Sequence, residues 1–189
     1  MAKGWRMNTK YVYSAVLLIV LSAWLGHSTT KPPTPPKPQE KDSKQVVSQI
    51  VADPAMLRIK SGAWIAGGNC NIEFANGAPM SDNVYPLAKD RILKLAGWAL
   101  DAEKVLLPEQ IVVRFTSVGN TEFYAASLSG LTRDDVREYF KLPDRVSNSG
   151  FELATNLRDV PAGQYSLTLV LQYDDATYVC DNGRKILVP

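Results

Sequence analysis

The chain has 189 residues, 46% of them apolar and 21% charged, a globular composition and enough length for one ordinary domain with appendages. Its formal charge of +2 conceals an asymmetry, because residues 1–54 carry seven Lys/Arg against three Asp/Glu (+4) and residues 55–189 carry 14 against 16 (−2). The near-neutral charge of the domain argues against nucleic acid as the partner, because phosphate binding needs a concentrated cationic face.

Residues 1–10 read as a basic cytoplasmic tail holding Lys3, Arg6 and Lys10, and Tyr11 to Gly26 come next as sixteen positions without a charge. At 1.5 Å per residue such a helix reaches about 24 Å, short of a hydrocarbon core of about 30 Å but able to span it with local thinning. The positive flank predicts a cytoplasmic N-terminus and translocation of the chain beyond Gly26. Tyr11, Tyr13 and Trp24 sit near the two ends, as interface aromatics do in a retained helix. The stretch Trp24-Leu25-Gly26-His27-Ser28 is a poor processing site, so residues 11–27 are expected to be a transmembrane signal-anchor, with a cleaved signal peptide as the alternative. Either way the domain is exported, and the expected location is the bacterial inner membrane, single-pass, with the domain in the periplasm.

Residues 28–54 read as a proline-rich linker. The run KPPTPPKPQEKDSK from Lys31 to Lys44 has five prolines in its first eight residues, which favours an extended polyproline path at about 3.1 Å per residue. Spacing the domain from the membrane explains it better than recognition by a proline-binding groove. Gln45 to Ala52 is expected to be a short helix or a continuation of the linker, ended by Asp53-Pro54.

From residue 55 onward the apolar pattern has period two, the signature of strands packed on one face. Tyr165, Leu167, Leu169, Leu171 and Tyr173 alternate with polar neighbours, Val170 being the one apolar exception, and Ile111, Val113 and Phe115 repeat the pattern. Further strands are expected at Cys70–Phe74, Arg91–Leu100, Glu122–Ser127, Gly150–Thr155, Thr177–Asp181 and Lys185–Val188. Turn-forming residues separate them, namely Asn76-Gly77, Gly119-Asn120, Asp174-Asp175 and Asp181-Asn182-Gly183. Residues 55–189 therefore predict an all-β, antiparallel β-sandwich. One helical insertion is expected at Thr132–Tyr139, with Thr132 as its cap, Asp134 and Asp135 in its first turn and Pro143 beyond its end.

Cys70 opens the first strong strand and Cys180 closes the penultimate one, in a chain whose leader implies an oxidising compartment. A disulfide between them would close a loop of about 110 residues, and the chain-entropy model assigns about 4.7 kcal/mol to a loop of about 100.

His27 is the only histidine and lies before the linker, so the domain has no Ser-His-Asp or Cys-His arrangement and no histidine metal site. No glycine-rich phosphate loop is present, and Asp134-Asp135 and Asp174-Asp175 fit helix-start and turn chemistry better than paired catalytic carboxylates. No catalytic residue, metal or cofactor is expected. Aromatic residues offer the better opening, with Trp64, Tyr85, Tyr124 and Tyr178 as candidates for a surface that stacks on sugar rings or meets a protein. Simple alternation places Trp98 opposite Leu93, Leu95 and Ala99. It is nevertheless expected in the core, turned inward by a bulge at Gly97, because sandwiches commonly bury a strand tryptophan.

The strings Gly97-Trp98-Ala99-Leu100-Asp101, Arg133-Asp134-Asp135-Val136, Gly150-Phe151 and Pro161-Ala162-Gly163-Gln164-Tyr165 occur in an order that resembles a family of small immunoglobulin-like β-sandwich modules. Those modules accompany bacterial surface-polysaccharide proteins, including membrane glycosyltransferases, as accessory regions. The likeness covers roughly residues 90–173, with Asp134 standing where a proline would be expected, and no attached enzyme domain is expected. It implies an immunoglobulin-like fold and an accessory, non-enzymatic role near envelope glycans. The expected function is thus a membrane-tethered module that binds or assists an envelope or membrane protein, with carbohydrate binding as the alternative and a carboxylate-dependent enzyme on envelope sugars as a third reading.

Overall fold

The computed structural model describes residues 47–60, 62–81 and 83–189. The expected basic tail, the expected signal-anchor and most of the expected linker lie outside the described residues. Among the described residues no helix is long and apolar enough to cross a membrane.

Among the described residues twelve strands and one short α-helix succeed one another: β1 (Ile50–Val51), β2 (Trp64–Ala66), β3 (Asn69–Ala75), β4 (Ala78–Pro79), β5 (Tyr85–Pro86), β6 (Ile92–Leu100), β7 (Gln110–Ser117), β8 (Glu122–Ala126), β9 (Leu128–Leu131), α1 (Asp134–Phe140), β10 (Gly150–Asn156), β11 (Gly163–Gln172) and β12 (Thr177–Val188). They form two sheets, one in the order β1-β8-β7-β11-β12-β2 with β5 also on β12, the other in the order β4-β3-β6-β10-β9. The expected all-β sandwich is therefore present, with a difference in pairing. β2 and β5 both run parallel to β12, so the sheets are not antiparallel throughout.

Alternation builds the core. Tyr165, Leu167, Leu169, Leu171 and Tyr173 from β11 and its extension meet Ile111, Val113 and Phe115 from β7 between the sheets, all buried. Opposite them lie Ile72, Leu93, Leu95, Phe151 and Leu153 from the other sheet. Fully burying an aliphatic or phenyl side chain of this size contributes about 1.5–3 kcal/mol, so this layer is the main source of stability. Val170, the exception in the β11 pattern, belongs to a second cluster on the outer face of its sheet with Val51, Ile59, Val112 and Tyr124. The segment from β1 to β2 lies over that face, which is why an outward valine is only 1% exposed.

The cysteines are joined as expected. The Cys70–Cys180 bridge ties β3 to β12, hence one sheet to the other, across 110 residues of sequence.

Four local expectations are corrected. Within Gln45–Ala52 the described part is extended, since Ser48 bridges to Thr155 and β1 pairs with Ala125 and Tyr124; the sheet thus begins inside the segment assigned to the linker. The two strands expected at Thr177–Asp181 and Lys185–Val188 are one. Thr168 pairs with Asp181 and Ser166 with Lys185, so Asn182-Gly183-Arg184 is a bulge facing Leu167, and the positive φ of Gly183 (73°) serves that bulge instead of a hairpin. Thr132 does not cap α1, because the cap position falls on Arg133 and the Thr132 hydroxyl meets Asn148 Oδ1 at 3.3 Å. Trp98 is not in the core: β6 keeps its plain alternation, Gly97 is paired in register with Ile72 and Phe151, and Trp98 faces outward, half-buried under α1.

Candidate functional site

The four aromatic residues singled out from the sequence do not form one surface. Tyr124 is only 3% exposed, and its hydroxyl donates to Glu122 Oε2. Burial first, then that hydrogen bond, pushes its pKa well above the usual phenol value. Trp64 is half-buried, its ring meeting the Tyr124 ring edge-on at 6.0 Å with the Arg114 guanidinium 5.8 Å over it. Tyr85 and Tyr178 pack instead against the inter-sheet core, and Tyr178 also meets Tyr173 at 5.5 Å and accepts from Lys104 Nζ at 2.8 Å. Trp64 pairs in register with Thr177 and Ile65 with Tyr178, so Trp64 and Tyr178 point to opposite faces of their sheet. These four are distributed over two clusters.

The acidic pairs also have local explanations. Asp134 and Asp135 occupy the first turn of α1, and Asp175 faces Lys104 at 3.6 Å. Among the described residues no group of three or more His, Cys, Asp or Glu is placed to hold a metal ion.

A concavity with a volume of about 750 Å³ lies on the outer face of the five-stranded sheet, within the range of small-ligand sites. Its floor is β6, where the small residues Ala96 and Gly97 keep the surface low. One wall comes from β3 and β4 through Glu73, Phe74 and Pro79, and the other from the end of β9 and the start of α1 through Leu131, Arg133 and Asp135. A second hollow of about 320 Å³ adjoins it, sharing Asn71, Glu73, Arg133 and Asp135 and closed by Trp98, Val136, Tyr139 and Phe140. A third, of about 250 Å³, continues past Phe74, Ala96 and Glu152 to Lys94.

Glu73 and Arg133 define the middle of this groove. Glu73 is the extra residue of a bulge in β3, where Ile72 pairs with Gly97 and Phe74 with Ala96. Its carboxylate accepts from Trp98 Nε1 at 3.2 Å and from Arg133 Nη1 and Nη2 at 2.7 and 3.2 Å. Arg133 makes a second fork to Asp135, at 2.8 Å through Nε and 2.7 Å through Nη2. Held by that Arg133 fork, the Asp135 carboxyl falls to a pKa of about 2, and Arg133 is raised still further above its already high value, so both remain ionised under all mild conditions. Trp98 lies against Phe140 at 5.6 Å, and Phe140 meets Tyr139, which is 80% exposed. From the far side, the β12 bulge sends Arg184 to the Ile72 carbonyl (3.2 Å) and Asn71 Oδ1 (3.3 Å).

Sequence reasoning misses this site. One signal for it exists, since plain alternation along β6 sets Trp98 on the face of Lys94 and Ala96. No family model matches this chain, and no curated protein or solved structure does so either.

Proposed function

We propose that this chain is a non-enzymatic module of the bacterial cell envelope, tethered to the inner membrane through residues 11–27, held off it by the linker, and serving to bind a partner in envelope or surface-glycan assembly. The observation that carries the reading is the open groove on the five-stranded sheet. On the other sheet's outer face Val112, Tyr124 and Val170 are packed against the chain's own Val51, Leu57, Ile59 and Trp64, whereas this one keeps fixed charges and an aromatic wall facing outward. Groups held in place before binding cost little entropy to engage, which is what a recognition surface requires. The Cys70–Cys180 bridge supports an oxidising compartment.

The immunoglobulin-like reading of the sandwich belongs to the same proposal. It is supported by a β4-β3-β6-β10-β9 sheet facing a β8-β7-β11-β12 sheet and by the Tyr165 hydroxyl, which donates to the Pro161 carbonyl at 2.9 Å. A tyrosine tied to backbone just upstream at the start of a strand is a recurrent corner of such sandwiches.

The experiment compares the intact protein purified from membranes with its Ala96→Trp variant, in which an indole fills the groove floor. The expected result is an envelope partner that copurifies with the native chain and is lost from the variant while the melting temperature stays the same. Retention of that partner by the variant would remove the groove from the reading, and a cytosolic protein with both thiols titratable would remove the envelope.

A further inference from the structure

Resting on the groove as a binding surface, we infer that its occupant is an uncharged oligosaccharide, bound along β6 with one sugar ring against Tyr139 and its hydroxyls bonded to the Glu73–Arg133–Asp135 cluster. Charge is the first argument. Along the three connected hollows the carboxylates are Glu73, Asp135 and Glu152 and the cations are Arg133, Arg184 and Lys94, so the signs balance. A polyanion or polycation would meet as much repulsion as attraction there. A neutral chain dense in hydroxyls, each both donor and acceptor, meets complementary groups of either kind.

The second argument concerns hydrogen bonds. Asp135 accepts from Arg133 Nε and Nη2 while its side chain stays 68% exposed, so the outer edge of the carboxylate is open to a hydroxyl. Glu73 and Arg133 are locked by each other and by Trp98, so a sugar engages them without reordering long side chains. The floor discriminates against a peptide. β6 is hydrogen-bonded to β3 on one side and β10 on the other, so its backbone has no unpaired edge to offer. An extended peptide laid across it would find no ladder for its own N–H and C=O groups, and burying these unpaired is costly.

The third argument is the aromatic wall. Tyr139 is braced at 5.0 Å by Phe140, which is itself braced by Trp98, yet most of its surface faces outward beside the cluster. A rigid phenol with an apolar face and a polar tip suits the C–H face and hydroxyl rim of a pyranose.

The test uses the full chain in lipid nanodiscs, titrated with neutral gluco- and galacto-oligosaccharides of two to six units and with a polyuronate of matched length, monitoring the Trp98 indole N–H resonance. The expected result is saturable movement of that resonance by a neutral sugar, with affinity at least tenfold weaker in Tyr139→Ala and in Asp135→Asn and unchanged in Val118→Ser at an exposed turn of the other sheet. Movement by the polyuronate alone, no movement by any neutral sugar, or equal affinity in Tyr139→Ala would each overturn the assignment. A copurifying protein partner that Ala96→Trp still abolishes, with no sugar bound, would overturn the sugar while leaving the groove as the binding surface.

Discussion

An alanine at Gly97 would place its Cβ 2.0 Å from the Asn71 carbonyl oxygen and 3.0 Å from the Phe151 ring. The nearer atom is backbone of the neighbouring strand and cannot swing aside, so β3 must move away from β6 or both must twist. Glycine is required here by close approach alone. The consequence reaches the groove, because the displaced strand carries Asn71 and Glu73. We expect Gly97→Ala to destabilise the domain by about 1–3 kcal/mol, the usual range for overpacking, and to weaken the Trp98–Glu73 hydrogen bond at the same time. Urea denaturation and the indole N–H shift measure the two effects. Native stability in the variant would mean that the strands separate at no cost, against the contact just described.

At the scale of elements, legibility in the sequence depends on how local each cause is. The β11 alternation is written in ten consecutive residues and is readable, as are the β7 pattern and the helical insertion. β12 misleads because Asn182-Gly183 is as good a bulge as a turn, and only its pairing with β11 decides which. β1 has two residues and is held by its partner β8, so no internal pattern announces it. The groove is hidden for a related reason, since Glu73, Trp98 and Arg133 come from three elements and meet only once β3 bulges. The cysteine pair, by contrast, is legible because two cysteines leave a single pairing. Its energetic role belongs to this scale, as it links β3 to β12 across the sandwich and shortens the unfolded chain by a loop of 110 residues. The double variant Cys70→Ala/Cys180→Ala is expected to lose about 4–5 kcal/mol on the loop-closure model. Urea midpoints of the oxidised protein and the variant give the value; a loss under about 1 kcal/mol would assign the holding of the two sheets to the apolar layer alone.

Over the whole molecule, three buried phenols couple both apolar clusters to alkaline pH. Tyr124 lies in the outer cluster, while Tyr165 and Tyr173 belong to the inter-sheet layer near opposite ends of β11. Burial is the leading cause that raises the pKa of each above the ordinary 10.0; the Glu122 hydrogen bond adds to it at Tyr124 and the Asp101 charge at Tyr173. Once the chain unfolds, the same phenols ionise at their ordinary value. Well below that value both states hold these protons and stability is unaffected by them. Above it the unfolded state releases protons that the folded state keeps, so stability falls with rising pH until the folded-state values are reached. Because the three sites belong to two clusters on one sheet, their late ionisation is expected to accompany loss of the sandwich. The expected outcome is a single alkaline transition above the ordinary phenol value, in which the late phenolate absorbance and the loss of β-sheet ellipticity rise together, with proton release from these rings on unfolding. Phenolate absorbance complete near the ordinary value with ellipticity unchanged would show these rings to be reachable by hydroxide in the folded protein, which their burial between and beneath the sheets forbids.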